Sequence, residues 1–150
     1  MTEYGLRANE EAVDLPDRAD ATLRFIGTIR TPWKDRKDCP RQGSFDGPDC
    51  TLELDDIWQP ALAGLEARET LEVLYWLHKS RRDVLTQNPR HTGRITGTFN
   101  LRSPVRPNPI GLSRVALVRV DGPNLVVRGL DCLDGTPLLD IKPDRCHHSA

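Results

Sequence analysis

The chain has 150 residues, 37% of them hydrophobic and 29% charged, with a net charge of −1. That is one domain's worth of chain with enough apolar residues for a core, which excludes a disordered polymer. No apolar run reaches the ~20 residues that span a bilayer. Met1 to Asp20 is acidic with no apolar stretch, so it does not read as a secretory signal, and the cytoplasm is the expected compartment.

Residues 1–21 lack apolar periodicity and are expected to be a mobile leader, with a single domain over 22–145 and a tail over 146–150. Leu23 to Arg30 is rich in β-formers and reads as the first strand, ended by Thr31-Pro32. Residues 33–48 hold Pro40, Gly43, Gly47 and Pro48 and read as a long irregular loop, a kind of segment that is more often functional than idle. Cys50 to Leu54 alternates as a second strand. Asp55-Asp56 followed by an Ala- and Leu-rich stretch to Leu65 predicts a short helix. Glu72 to His78 is almost wholly apolar and reads as a central strand. Residues 79–93 read as a polar loop and Arg94 to Leu101 as a strand. Residues 103–110 carry three prolines and exclude regular structure. Leu112 to Asp121 and Leu125 to Asp131 form a hairpin through Asp121-Gly122-Pro123-Asn124. Leu138 to Ile141 is the last strand. About seven short strands with one or two short helices predict a mainly β sandwich or barrel.

The cysteines (Cys39, Cys50, Cys132 and Cys146) show no C-x-x-C spacing and imply no disulfide framework. Cys146-His147-His148 lies in the terminal tail, and no metal is expected there. Charge is unevenly spread. Lys79, Arg81, Arg82, Arg90, Arg94, Arg102 and Arg106 are opposed only by Asp83. This stretch reads either as a phosphate-facing surface or as an ordinary solvated one.

Two segments carry the chemistry. Arg102 to Ser113 contains Arg106-Pro107-Asn108-Pro109, in which each proline fixes φ and restricts the residue before it. Such a ribbon loses little entropy when it meets a ligand. It reads equally as a rigid corner between strands. Leu133-Asp134-Gly135-Thr136-Pro137 is a tight turn with Asp131 and Asp140 nearby, either a site or a plain hairpin turn.

The patterns R-x-x-x-R-P-N-P-I-G-x-S and L-D-G-T-P-x-x-D-I-K-P together resemble the TsaA/TrmO family. Ile26 to Pro32, Pro40-Arg41-Gln42, Leu62 to Glu66 and Leu74 to His78 resemble further parts of that family, in the same order. The resemblance runs from Leu23 to Pro143. It implies an antiparallel β-barrel that binds S-adenosylmethionine as a homodimer. It also implies methylation of N6 of threonylcarbamoyladenosine at position 37, in the anticodon loop of tRNA. Carried over, the cofactor contacts are Pro40, Arg41, Gln42, His78, Lys79, Arg102, Leu112, Leu133, Asp134, Gly135 and Thr136. Arg106 and Asn108 are the substrate-side candidates, and no catalytic base is singled out. The chain departs from the family at two places. Glu69-Thr70-Leu71-Glu72 stands where Ser-His-Leu-Trp is common, and Asp144 stands where an aromatic usually follows Lys-Pro. The alternatives are a methyltransferase for a small molecule and a cofactor-binding module without catalysis.

Overall fold

The computed structural model describes residues 5–18 and 20–145. The Cys146-His147-His148 cluster lies outside them. The chain divides into two compact units, one drawn from Leu23–Trp76 and Gly111–Ala150, the other from Met1–Thr22 and Leu77–Ile110. Nine strands occur among the described residues: β1 Glu11–Ala12, β2 Gly27–Arg30, β3 Cys50–Leu54, β4 Thr70–Trp76, β5 Val84–Gln87, β6 Thr96–Gly97, β7 Ile110–Asp121, β8 Asn124–Arg128 and β9 Thr136–Pro143.

In the first unit six strands close into an antiparallel barrel in the order β2-β3-β8-β7-β4-β9. Closure leaves no strand edge to pair with another chain. Period-two alternation fills the interior. On β3, Cys50, Leu52 and Leu54 are buried while Thr51 and Glu53 are only partly covered; on β4, Leu71, Val73 and Tyr75 are buried. The register sets Leu52 opposite Ile29 on one side and Leu125 on the other, and Ile29 opposite Thr136, so these side chains form one layer. Gly27 lets β2 approach β3: a Cβ there would lie 2.1 Å from the Glu53 carbonyl oxygen. Leu52→Ala should remove about 2–5 kcal/mol of stability, since neighbours in a closed layer collapse only partly into the void. A urea titration checks this.

The Asp121–Asn124 hairpin forms as its sequence predicts, with Gly122 at φ 60°. Elsewhere the structure differs from the reading. The predicted helix is two 3-10 turns, Asp56–Leu62 and Leu65–Ala67. Pro60 has no N–H to continue an α-helix, and Gly64 turns left-handed at φ 86° between the two. The predicted strand Arg94–Leu101 shortens to β6 plus a 3-10 turn over Thr98–Asn100.

In the second unit, β5 sits inside the segment read as a loop, and the leader supplies β1; the sheet order is β1-β5-β6. These strands are too short to show periodicity and are held by polar side chains. Gln87 is buried and donates from Nε2 to Thr98 Oγ1 (3.0 Å) and to the Val105 carbonyl (2.8 Å). Thr98 Oγ1 donates to the Val84 carbonyl (2.6 Å). Glu10 accepts from the backbone N–H of Asn88 (2.9 Å) and of Arg7 (2.8 Å), which fixes the leader residues beside β5.

Candidate cofactor site

The Leu133–Thr136 turn is pinned to the end of β2. Gly135 takes φ 83°, a conformation costly to other residues. Its N–H donates to the Ile29 carbonyl (2.8 Å), and the Asp134 N–H donates to that of Trp33 (2.8 Å). Thr136 Oγ1 donates to the Leu133 carbonyl (2.7 Å), and Thr31 Oγ1 to that of Cys132 (2.9 Å). Asp134 Oδ1 accepts the Thr31 N–H (3.1 Å), and Oδ2 accepts the Lys34 ammonium. The Lys34 hydrogen bond first, then the Thr31 N–H and the nearby positive charges, hold the Asp134 carboxyl below its ordinary range.

A depressed carboxylate stabilises the fold above its unfolded pKa, and this contribution disappears as pH falls through the lower folded value. Asp134→Asn should therefore cost about 1–2 kcal/mol at neutral pH, less than a buried pair because Lys34 is largely exposed. It should also show a shallower stability loss than wild type below pH ~4. Denaturant midpoints measured between pH 7 and 2.5 read both effects.

The 33–48 loop is anchored just after Pro40-Arg41-Gln42. A Cβ on Gly43 would lie 1.8 Å from the Gly129 carbonyl oxygen, so only glycine permits the approach. Two residues on, the Arg114 guanidinium sits over the Phe45 ring, 5.3 Å from its centroid. Arg114 also donates to Asp144, which is 4% exposed and accepts from Thr70 Oγ1 (3.0 Å). Thr70 and Asp144, two residues that depart from the family pattern, thus contact each other. Arg41 and Gln42 are exposed, and Pro40 is partly covered.

Tyr75 is the residue that sequence reasoning missed. It is 3% exposed, and its ring packs where a Cβ on Gly111 would lie, 2.1 Å from its Cε2. Its hydroxyl lies 2.7 Å from Ser113 Oγ and donates to Asp131 Oδ1 at 3.0 Å. Burial, then the charge of Asp131, push the phenol well above its usual range, so it stays a donor. Gly111 and Ser113 close the Pro-Asn-Pro motif, and Asp131 opens the Asp-Gly-Thr segment; one phenol joins them. The only sequence signal was a hydroxyl within an otherwise apolar strand. Leu112, between Gly111 and Ser113, is exposed and lines a cleft of about 540 Å³ with Glu72, Lys142, Pro143 and Arg145.

The remaining candidates belong to the second unit. His78, Lys79 and Arg102 are exposed. Arg106 Nη1 donates to the carbonyls of Leu101 (2.9 Å) and Ser103 (3.0 Å), clamping the proline-rich ribbon from within. Asn108 Oδ1 accepts from Arg82 (3.4 Å), whose Nε donates to the Pro107 carbonyl (2.6 Å). The ribbon is therefore stiffened by arginines as well as by proline. Of the three nearby aspartates only Asp134 belongs to the turn. Asp131 serves Tyr75, and Asp140 pairs with Lys142 at 2.7 Å. No cluster of three metal-ligating side chains, and no helix long and apolar enough to cross a membrane, occurs among the described residues.

The model of the tRNA-methyltransferase O N-terminal domain matches residues 28–146. The chain belongs to this family. A probable S-adenosyl-L-methionine-binding protein, VirR, of Rhizobium radiobacter is 63% identical over 97% of this chain and 83% of its own length. The mouse tRNA (adenine(37)-N6)-methyltransferase is 43% identical over 55% of this chain and 20% of its own. The crystal structure of TrmO from Pseudomonas aeruginosa superposes with a TM-score of 0.70 at 32% identity, covering 88% of this chain and 59% of that one. The chain thus spans about three fifths of that solved relative and one fifth of the mouse enzyme.

Proposed function

We propose that the chain is an S-adenosylmethionine-dependent methyltransferase acting on tRNA in the cytoplasm, at N6 of threonylcarbamoyladenosine 37. The observation that carries this reading is family membership across the whole barrel, with relatives named both for binding S-adenosylmethionine and for methylating adenine 37 of tRNA. The donor set suits that cofactor. The exposed Arg41 guanidinium has the planar fork that pairs a carboxylate such as the cofactor's own, and Gln42 offers both a donor and an acceptor. Asp134 stays anionic and fixed, as an acceptor for hydroxyl or amine protons. When bound, S-adenosylmethionine supplies an activated methyl group for in-line displacement. The chain's own residues would bind and orient the partners.

The homodimer that the family resemblance implies is part of this proposal. Leu112 and Val118 leave apolar surface exposed on β7, which suits an isologous contact. Light scattering should give twice the 16.9 kDa chain mass. Mass spectrometry of tRNA nucleosides from a deletion strain tests the activity: methylated threonylcarbamoyladenosine should disappear and return on complementation. The relative at 63% identity is named for binding alone, which favours a non-catalytic module as the second reading. That reading predicts an unchanged nucleoside profile.

A further inference from the structure

Asp144 is a buried carboxylate that the methyl transfer proposed above does not use. It lies one residue past the Leu71–Pro143 pair of β4 and β9 and is 4% exposed. Its Oδ2 accepts from Thr70 Oγ1 at 3.0 Å and from Arg114 Nε. A carboxylate so far out of water is tolerated when it is paired and hydrogen-bonded. Arg114, on β7, is the more exposed partner, with 45% of its side chain open to solvent. Asp144 therefore fixes the direction of a guanidinium that a surface arginine would otherwise carry through several rotamers.

The direction is toward Phe45, whose ring centroid is 5.3 Å from the guanidinium carbon. Phe45 belongs to the 33–48 loop. Ion pairs tie that loop near its two ends, Lys34 with Asp134 and Asp49 with Arg128. Between them, Asp38 N–H donates to the Asp35 carbonyl (3.0 Å), Cys39 N–H to that of Arg36 (3.1 Å) and Gly47 N–H to that of Ser44 (2.9 Å), so these bonds fold the loop on itself. Ser44 Oγ also accepts the Asp46 N–H (3.2 Å), which braces the turn that presents Phe45. The ring meets the barrel beside Gly129, where an added Cβ would lie 3.4 Å from Phe45 Cδ1. Gly43 touches the same residue, and Pro40, Arg41 and Gln42 immediately precede it. Phe45, Thr70, Arg114 and Asp144 all belong to one compact unit.

We infer that Arg114 and Asp144 are positioning residues for the cofactor: Asp144 aims the Arg114 guanidinium, the guanidinium clamps the Phe45 ring, and the clamp holds Pro40, Arg41 and Gln42 against the barrel. The inference rests on the reading of those three residues as cofactor contacts. The order of dependence follows from burial and pairing. Asp144 is enclosed beside paired strands, whereas Phe45 stands in an irregular loop and is 39% exposed. The fixed end of the relay is thus the carboxylate, and the end that it steadies is the loop. The link at Phe45 is specific to an aromatic ring, because the attraction comes from the ring's quadrupole and an aliphatic side chain of similar bulk lacks it. Phe45 and Asp144 stand far apart in the sequence, and one guanidinium joins them.

The test titrates S-adenosylmethionine into the full chain by calorimetry, with a thermal melt and a timed trypsin digestion of each protein. Trypsin reads the loop directly, through Lys34, Arg36, Lys37 and Arg41. Phe45→Leu keeps the apolar bulk and removes the ring. It should weaken cofactor binding about 2- to 5-fold and speed cleavage after Arg41, and Phe45→Trp should restore both. Asp144→Asn should reproduce both effects. Because it acts on Phe45 through Arg114, the double variant should lose no more affinity than the larger single. Should Asp144→Asn fail to fold, Thr70→Val, which removes one bond to the same oxygen, takes its place in the cycle. A lower melting temperature with unchanged affinity and cleavage would make Asp144 a structural residue alone and overturn the inference. Wild-type affinity in folded Phe45→Leu overturns it too, even with faster cleavage, since the loop would then be clamped but outside the site. Additive losses in the double variant break the relay. A wild type that binds no S-adenosylmethionine overturns the cofactor reading and this inference with it; wild-type binding with indifferent variants overturns this inference alone.

Discussion

Replacing Gly43 with alanine should weaken S-adenosylmethionine binding at least tenfold, about 1.4 kcal/mol, while leaving the barrel folded. The added Cβ would lie 1.8 Å from the Gly129 carbonyl oxygen and 2.4 Å from its carbon. Both are backbone atoms of a residue at φ 120°, next to buried Leu130, so neither can swing aside as a side-chain tip would. The 33–48 loop must lift instead. Pro40, Arg41 and Gln42 immediately precede Gly43 and move with it. Overpacking should cost a further ~1–3 kcal/mol of stability. Gly97→Ala is the control: nothing lies within 4 Å of its Cβ position, and its effect should stay within about 0.5 kcal/mol. Calorimetric titration alongside a thermal melt separates the two losses. Full cofactor affinity in a well-folded Gly43→Ala protein would remove the Pro40–Gln42 segment from the site.

Gly111→Ala should be more damaging to the fold, by about 2–4 kcal/mol. Its Cβ would enter the face of the Tyr75 ring, within 2.6 Å of three ring atoms. The ring is enclosed and its hydroxyl is committed to Ser113 and Asp131, so displacing it breaks hydrogen bonds as well as packing. Tyr75→Phe alone should cost about 1.5–3 kcal/mol, the range for a hydrogen bond to a charged group. Because the two changes act through one side chain, they should not add, and the double variant should lose less than the sum. Urea titrations of the four proteins close the cycle. Simple additivity would show that Gly111 and the Tyr75 hydroxyl act separately.

The barrel strands were legible in the sequence because alternation survives in them. Cys50 to Leu54 reads as a strand and is one, residue for residue. The Asp121–Asn124 hairpin was legible from turn chemistry. What the sequence concealed is held by side chains rather than by pattern. β5 and β6 exist because Gln87 and Thr98 bond across the second unit, and β1 because Glu10 ties the leader beside them. No local periodicity announces such pairings. The helix reading failed at Pro60 and Gly64, where backbone chemistry outweighs Ala and Leu propensity.

Legibility of the site follows the same division. Asp134, Gly135 and Gly111 stand in unusual motifs, and each has a conformational or bonding reason visible in the structure. Arg106 and Asn108, read as facing the substrate, each give one polar atom to the proline-rich ribbon: Arg106 Nη1 donates to two of its carbonyls and Asn108 Oδ1 accepts from Arg82. Tyr75 joins both motifs, yet in the sequence it is one more residue of an apolar strand.

The most direct test supplies the purified chain with S-adenosylmethionine carrying a labelled methyl group and with tRNA that either bears or lacks threonylcarbamoyl at adenine 37. The account predicts label in the modified tRNA, recovered by nucleoside mass spectrometry as N6-methyl-threonylcarbamoyladenosine, and none in the unmodified tRNA. Tight cofactor binding without label transfer to either tRNA would contradict it.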